Sequence, residues 1–188
     1  MGKGFDMTLL SIDPGIRGSG AALFIDSRLI RAEYVRNPAK EGSGPRECAT
    51  MAQALYDWAC SFVGRFDNRS TLAQEIPATY SGRATRGDAN DLFPLMGVQA
   101  ALAALLPSAE VLYYRPSEWK GSIQKPLNAS GEVEYVITTR VKSRLSAEEQ
   151  ACVKWPSSVK YGWDVADSLG VGLAALGRFD RMRRFARE

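Results

Sequence analysis

Residues 7–13, MTLLSID, form a short apolar run that stops at Pro14-Gly15, and a run bounded by that turn signal predicts a buried strand. Residues 20–25 predict a second apolar strand. After a DSR turn, Ile30, Ala32 and Tyr34 alternate with Arg31 and Glu33, the pattern of a half-exposed third strand. Links this short imply an antiparallel meander. From Glu47 onward, Cys48, Met51, Leu55, Trp58 and Phe62 recur at helical spacing, so a helix should pack on the sheet. Residues 70–77 predict a fourth strand, carrying Glu75 near its end before Pro77 stops it.

The segment 91–106, DLFPLMGVQAALAALL, reads as a helix that is apolar almost all round. Such a helix needs two buried faces, one on its own sheet and one elsewhere, as on a second subunit. Residues 109–116 predict a fifth strand, and between 117 and 160 the pattern supports only one helix, near 138–152. A last helix over 162–179 carries small residues at Ala166, Gly170, Ala174 and Gly177 that suit close packing on the sheet. The order predicts one α/β domain over residues 1–188, a mixed five-stranded sheet with antiparallel first three strands and helices on both faces.

Composition narrows the chemistry. The chain has 188 residues, enough for one well-buried domain, and no apolar run approaches the ~18 residues of a membrane helix. The three cysteines, Cys48, Cys60 and Cys152, show no metal-ligand spacing, and a reduced, cytoplasmic chain is expected. Histidine is absent, which excludes a Ser-His-Asp triad, a Cys-His pair and any His-ligated zinc. Hydrolysis would have to use carboxylates, lysine or a metal-bound water. The net charge of +3 is uneven: residues 115–188 carry 13 Lys+Arg against 9 Asp+Glu, and residues 1–114 carry 11 against 12. That balance suits a polyanionic partner at the C-terminal half.

Four carboxylates fall where the predicted elements could bring them together. Asp13 ends the first strand, Glu75 ends the fourth, and Asp164 and Asp167 sit one helical turn apart on the last helix. Each has an ordinary explanation: a turn former, a rim residue, a helix cap, a complement to the helix dipole. Together they would repel one another unless cations filled the site. Oxygen ligands without His or Cys select Mg²⁺ or Mn²⁺, and such ions can drive phosphodiester cleavage.

At these residues the chain resembles the RuvC family of Holliday junction resolvases. SIDPGIRGSGAALF resembles the family's first motif, with Asp13, Pro14, Gly15, Arg17 and Gly20 in place; LAQEIP carries the strand-borne glutamate at Glu75; WDVADSLGVGLAAL carries the closing Asp-x-x-Asp helix at Asp164 and Asp167. The resemblance implies an RNase H-like fold, a homodimer, and Mg²⁺-dependent paired nicking of four-way DNA junctions by those four acids, with Mn²⁺ as a substitute. It also implies DNA contacts from Arg17, from Arg83 and Arg86 after the glutamate strand, and from Lys120 and Lys125. Tyr80 is the nearest aromatic to the family's junction wedge. Lys120 or Lys125 is further a candidate to stabilise charge on the reacting phosphate. Residues 119–162 and the two-arginine loop after Glu75 depart from the bacterial pattern, which fits a divergent, phage-borne member. The tail arginines Arg178, Arg181, Arg184 and Arg187 read more simply as a solvated helix end.

Other classes compete. Actin-like ATPases and sugar kinases open with a similar acidic strand-turn but need two such domains. A non-catalytic nucleic-acid-binding module could keep the fold without the chemistry, though four retained acids argue against decay. A nuclease of the same fold could act on other branched DNA or on RNA:DNA hybrids, since selectivity lies in loops and dimer geometry.

Overall fold

The computed structural model describes residues 7–39, 42, 44–76, 89–107, 109–121 and 135–179. Strand β1 (Thr8–Asp13) pairs antiparallel with β2 (Gly18–Ile25), which pairs antiparallel with β3 (Arg28–Arg36). The β2–β3 link is Asp26-Ser27, both at positive φ (48° and 64°), the two-residue geometry whose twist matches that of the flanking strands. On the other side of β1, β4 (Ser70–Glu75) and then β5 (Glu110–Tyr114) add in parallel. A two-residue β6 (Val153–Lys154) pairs parallel with β3, giving the order β5-β4-β1-β2-β3-β6. The sheet therefore has six strands, not the five expected. Two residues are too few to show a period.

The remaining elements are α1 (Pro45–Val63), α2 (Ala89–Leu105), α3 (Pro116–Trp119), α4 (Val136–Arg144), α5 (Ala147–Ala151) and α6 (Val159–Ala175). Strand alternation sends Leu10, Ile12, Ala21, Leu23 and Leu72 to one face, where they pack with Met51 and Leu55 of α1 and Val98 and Leu102 of α2. Leu9, Ala22, Phe24 and Ala73 face the other way, against Val165, Leu169 and Leu173 of α6 and Ile137 and Val141 of α4.

Three local features differ from the sequence reading. A bulge in β3 pairs Phe24 with Leu29 and Leu23 with Arg31, leaving Ile30 out. Leu29 and Ala32 thus both enter the core while Ile30 is exposed, breaking the simple alternation. The single helix expected near 138–152 is two helices. Leu145 is extended, and Ser146 opens α5 with a reciprocal cap: the Ser146 Oγ accepts from Glu149 N at 3.2 Å, and the Glu149 carboxylate accepts from Ser146 N at 2.9 Å. Finally, α6 starts at Val159 after Ser158, so Asp164 and Asp167 lie beyond its first turn. Capping and dipole roles do not account for them.

Small residues let α6 press onto the sheet. A methyl at Gly20 would overlap the Asp164 carbonyl, and one at Gly172 would meet Phe24 and Ser11. The Ser11 hydroxyl donates to the Ser168 carbonyl at 2.9 Å, tying β1 to α6. That close approach brings the acids of α6 down to the strand ends.

Candidate metal centre

Because β1 and β4 are parallel neighbours with Ile12 opposite Gln74, their terminal acids leave the sheet at the same edge. Asp13 is in phase with Ser11, and Glu75 with Ala73, so both side chains belong to the α6 face. Asp167 comes down from α6, fully buried. Carboxylate oxygens of Asp13, Glu75 and Asp167 all lie within 4.8 Å of one another.

A lysine sits among them. Lys120 Nζ donates to Glu75 Oε1 at 3.0 Å, Glu75 Oε2 at 3.1 Å and Asp167 Oδ2 at 2.9 Å. Short α3 delivers it: Trp119 Nε1 donates to Glu75 Oε2 at 3.0 Å, while its ring lies where a side chain at position 170 would be, a place only Gly170 leaves open. Tyr135 OH donates to Asp167 Oδ1 at 2.7 Å, and Gln99 Nε2 donates to the Glu75 carbonyl at 2.8 Å. Neutral donors from two segments thus orient the Glu75 and Asp167 carboxylates, and Gln99 fixes the Glu75 backbone. Among the described residues, one ammonium meets three carboxylates. The donor set is oxygen only, and its spacing fits a hard divalent cation such as Mg²⁺ or Mn²⁺.

The fourth expected acid, Asp164, is not one of the three whose oxygens converge. It lies alongside them. Asp13 pairs with Gly20 and Gly20 with Tyr34, and the Asp164 carbonyl rests on Gly20 between the two. Burial pushes the Tyr34 hydroxyl up to about 12, and the charges of Asp164 and Asp13 act in the same direction. Arg17 is exposed in the β1–β2 turn, its carbonyl accepting from Asn37 N at 3.0 Å. Lys120, expected at the scissile DNA backbone, is buried beside the acids. Tyr80, Arg83, Arg86 and Lys125 lie outside the described residues, as do Arg181, Arg184 and Arg187. Arg178 has a structural partner in Glu149. Trp119, Tyr135 and Gln99 were not among the expected site residues. Only the Trp119-Lys120 adjacency hinted at the first.

Comparison of the sequence with family models gave no match, and comparison with curated proteins gave none. Solved structures do match. T. thermophilus RuvC in complex with a Holliday junction substrate aligns over 94% of this chain and 99% of that one, with a TM-score of 0.54 and 20% identity. The fold is that of RuvC. A second T. thermophilus RuvC structure gives 0.51 and 17% over 94% and 100% of the two chains. The yeast mitochondrial Holliday junction resolvase Ydc2 gives 0.55 and 18% over 87% of this chain and 75% of its own. At these identities the RuvC-like architecture is shared while most side chains differ. Among the described residues no helix is long and apolar enough to cross a membrane.

Proposed function

We propose that this chain is a single RNase H-like nuclease domain that resolves four-way DNA junctions by paired, metal-dependent nicks. The observation that carries the reading is the convergence of Asp13, Glu75 and Asp167 around Lys120 at one edge of a RuvC-like sheet. Asp13, Glu75 and Asp167, with Asp164 beside them, would hold Mg²⁺, and Mn²⁺ would substitute. Such ions supply an activated water and stabilise the leaving oxygen in phosphodiester cleavage.

The chain's own residues do the positioning. Trp119 and Tyr135 fix one oxygen each of Glu75 and Asp167, so the carboxylates do not have to reorganise as charge develops. Lys120 holds Glu75 and Asp167 in place through its ammonium and is near enough to shift toward a phosphate oxygen once other cations occupy the acids. The chain has no histidine, and among the described residues Lys120 is the cation bonded to the cluster. Arg17, Arg83, Arg86 and Lys125 are assigned to the DNA backbone, and Tyr80 to the junction centre.

Two nicks need two sites. Helix α2 exposes Phe93 (66%) and Met96 (55%) on a face that continues through Ala100 and Ala104, and we assign this stripe to contact with a second copy. Sedimentation should show a dimer at micromolar concentration, with Met96→Glu giving monomers. A stable wild-type monomer would count against paired nicking.

The test of function is a gel comparing four-way junction, flap, duplex and RNA:DNA hybrid in Mg²⁺, Mn²⁺ or EDTA. Symmetrical cuts confined to the junction, and lost in EDTA, are expected. Preferential cutting of hybrid or flap would move the reading to another nuclease of this fold.

A further inference from the structure

Two strands further along the same sheet edge lies a groove of about 260 Å³ that the proposed chemistry does not use. Its lining includes Tyr34, Arg36, Lys154, Trp155 and Tyr161. Tyr34 and Tyr161 are stacked, with ring centroids 4.3 Å apart and planes 14° from parallel. Arg36 lies over the Tyr161 ring at 5.9 Å, and Lys142 over Trp155 at 5.0 Å.

The groove is basic. Its one acid, Glu33, is already matched by Arg31 at 3.3 Å and Lys154 at 3.4 Å and accepts from Trp58 Nε1 at 2.6 Å. Arg36 is exposed, and the first turn of α6 adds Lys160 and no acid. Flat aromatic faces interleaved with cations match single-stranded nucleic acid, in which bases stack and the backbone is charged. An acidic or apolar peptide would use only one of those two features.

The position matters as much as the composition. Asp13, Gly20 and Tyr34 stand in one row across β1, β2 and β3, so Tyr34 is two strand spacings, roughly 10 Å, from the metal-centre strand. Gly18 also contributes, because a methyl there would collide with the Tyr34 ring. The stack is therefore held against the site by the same glycine-rich stretch that carries Asp13.

We infer that this groove is a nucleobase-stacking subsite, taking an unpaired base of the DNA strand next to the phosphate held at the carboxylates. The inference rests on the nuclease reading of that cluster. Trp155 and Tyr161 supply the stacking faces, Arg36 and Lys154 contact the flanking phosphate, and Tyr34 backs Tyr161 from the sheet.

The experiment places 2-aminopurine in turn at each nucleotide around the branch point of a four-way junction and measures its fluorescence on binding in EDTA. Stacking should quench the probe at one or two positions only. Trp155→Ala and Tyr161→Leu should abolish that quench and weaken junction binding about tenfold. Trp155→Phe and Tyr161→Phe, which keep a flat ring, should restore most of both, and they keep the test open if the smaller residues unfold the groove. Wild-type binding with no quench at any position, or variants that match wild type in quench and affinity, would overturn the subsite while leaving the nuclease reading intact. Failure of the wild type to bind any junction would remove both.

Discussion

Beside the β2–β3 turn, Glu149 accepts from two Arg178 nitrogens at 2.8 and 2.7 Å, and from the backbone nitrogens of Leu29 at 3.0 Å and Ser146 at 2.9 Å. At the opposite edge, among the described residues, Lys120 bridges Glu75 and Asp167 with Asp13 nearby. The first cluster is one acid and one base in fork geometry, with further donors satisfying the carboxylate, and it ties the start of β3 to α5 and to the residue just past Gly177. Those hydrogen bonds from Arg178 outweigh the cost of burial and hold the Glu149 carboxyl down at about 2. The second cluster sets three carboxylates from three elements around one described ammonium. A pair that only stabilises needs no more than its own partners; carboxylates converging from three elements make physical sense where a metal cation is to be bound.

The largest expected effect breaks the converging acids. Asp13→Asn, Glu75→Gln or Asp167→Asn should each lower junction cleavage by about a thousandfold or more, with junction affinity little changed, because an amide is a poor substitute for an anionic metal ligand. Their double combinations should cost little beyond the single changes, since the acids act as a unit. Cleavage and binding gels run side by side check this. Asp164→Asn tests whether the acid outside the converging three belongs to that unit.

The balanced side should respond in stability and not in chemistry. Glu149→Gln should cost about 2–3 kcal/mol, read from urea midpoints, and leave the metal requirement of cleavage as it was. The pH dependence follows from the same carboxyl. Its folded-state value lies below the ordinary 4.5, so its contribution is fully present above pH 4.5 and is lost as pH falls toward 2. The slope of stability between those limits should flatten in Glu149→Gln.

How much of this contrast is legible in the chain depends on the range of the contacts. Asp13 and Glu75 stand at strand ends bounded by proline, and Asp164 and Asp167 share one helix face, so local pattern is enough to nominate them. Tyr135 and Trp119 reach the same cluster from residues 32 and 48 positions before Asp167, and no periodicity links them to it. Lys120 could be nominated as a phosphate contact, but sequence does not reveal that α3 turns it inward onto Glu75 and Asp167. Glu149 does carry a short-range signal, the Ser-x-x-Glu cap, but its Arg178 partner is 29 residues on. The bulge at Ile30 and the two-residue β6 are set by pairing, which a single strand's pattern does not encode.

The smallest effect concerns the other face of the sheet. Gln74, adjacent to Glu75, is fully buried, and its side-chain nitrogen and oxygen have no hydrogen-bond partner among the described residues. Desolvation without a partner is costly, so Gln74→Met should stabilise by about 1 kcal/mol, or roughly 2–4 °C in thermal midpoint. A loss of stability instead would mean that the amide has a partner that this face conceals.

If the converging acids form one cation site, Mn²⁺ titration by calorimetry, with a four-way junction of blocked scissile phosphates present, reads it out. Wild type should bind Mn²⁺ and Asp13→Asn should lose most of that affinity. Lys120→Met should bind more tightly than wild type, because the ammonium that competes with the ion for Glu75 and Asp167 is gone. The Mn²⁺-induced rise in thermal midpoint should follow the same order. Equal Mn²⁺ affinity in wild type and Asp13→Asn, or no binding to either, would contradict a shared metal centre at Asp13, Glu75 and Asp167.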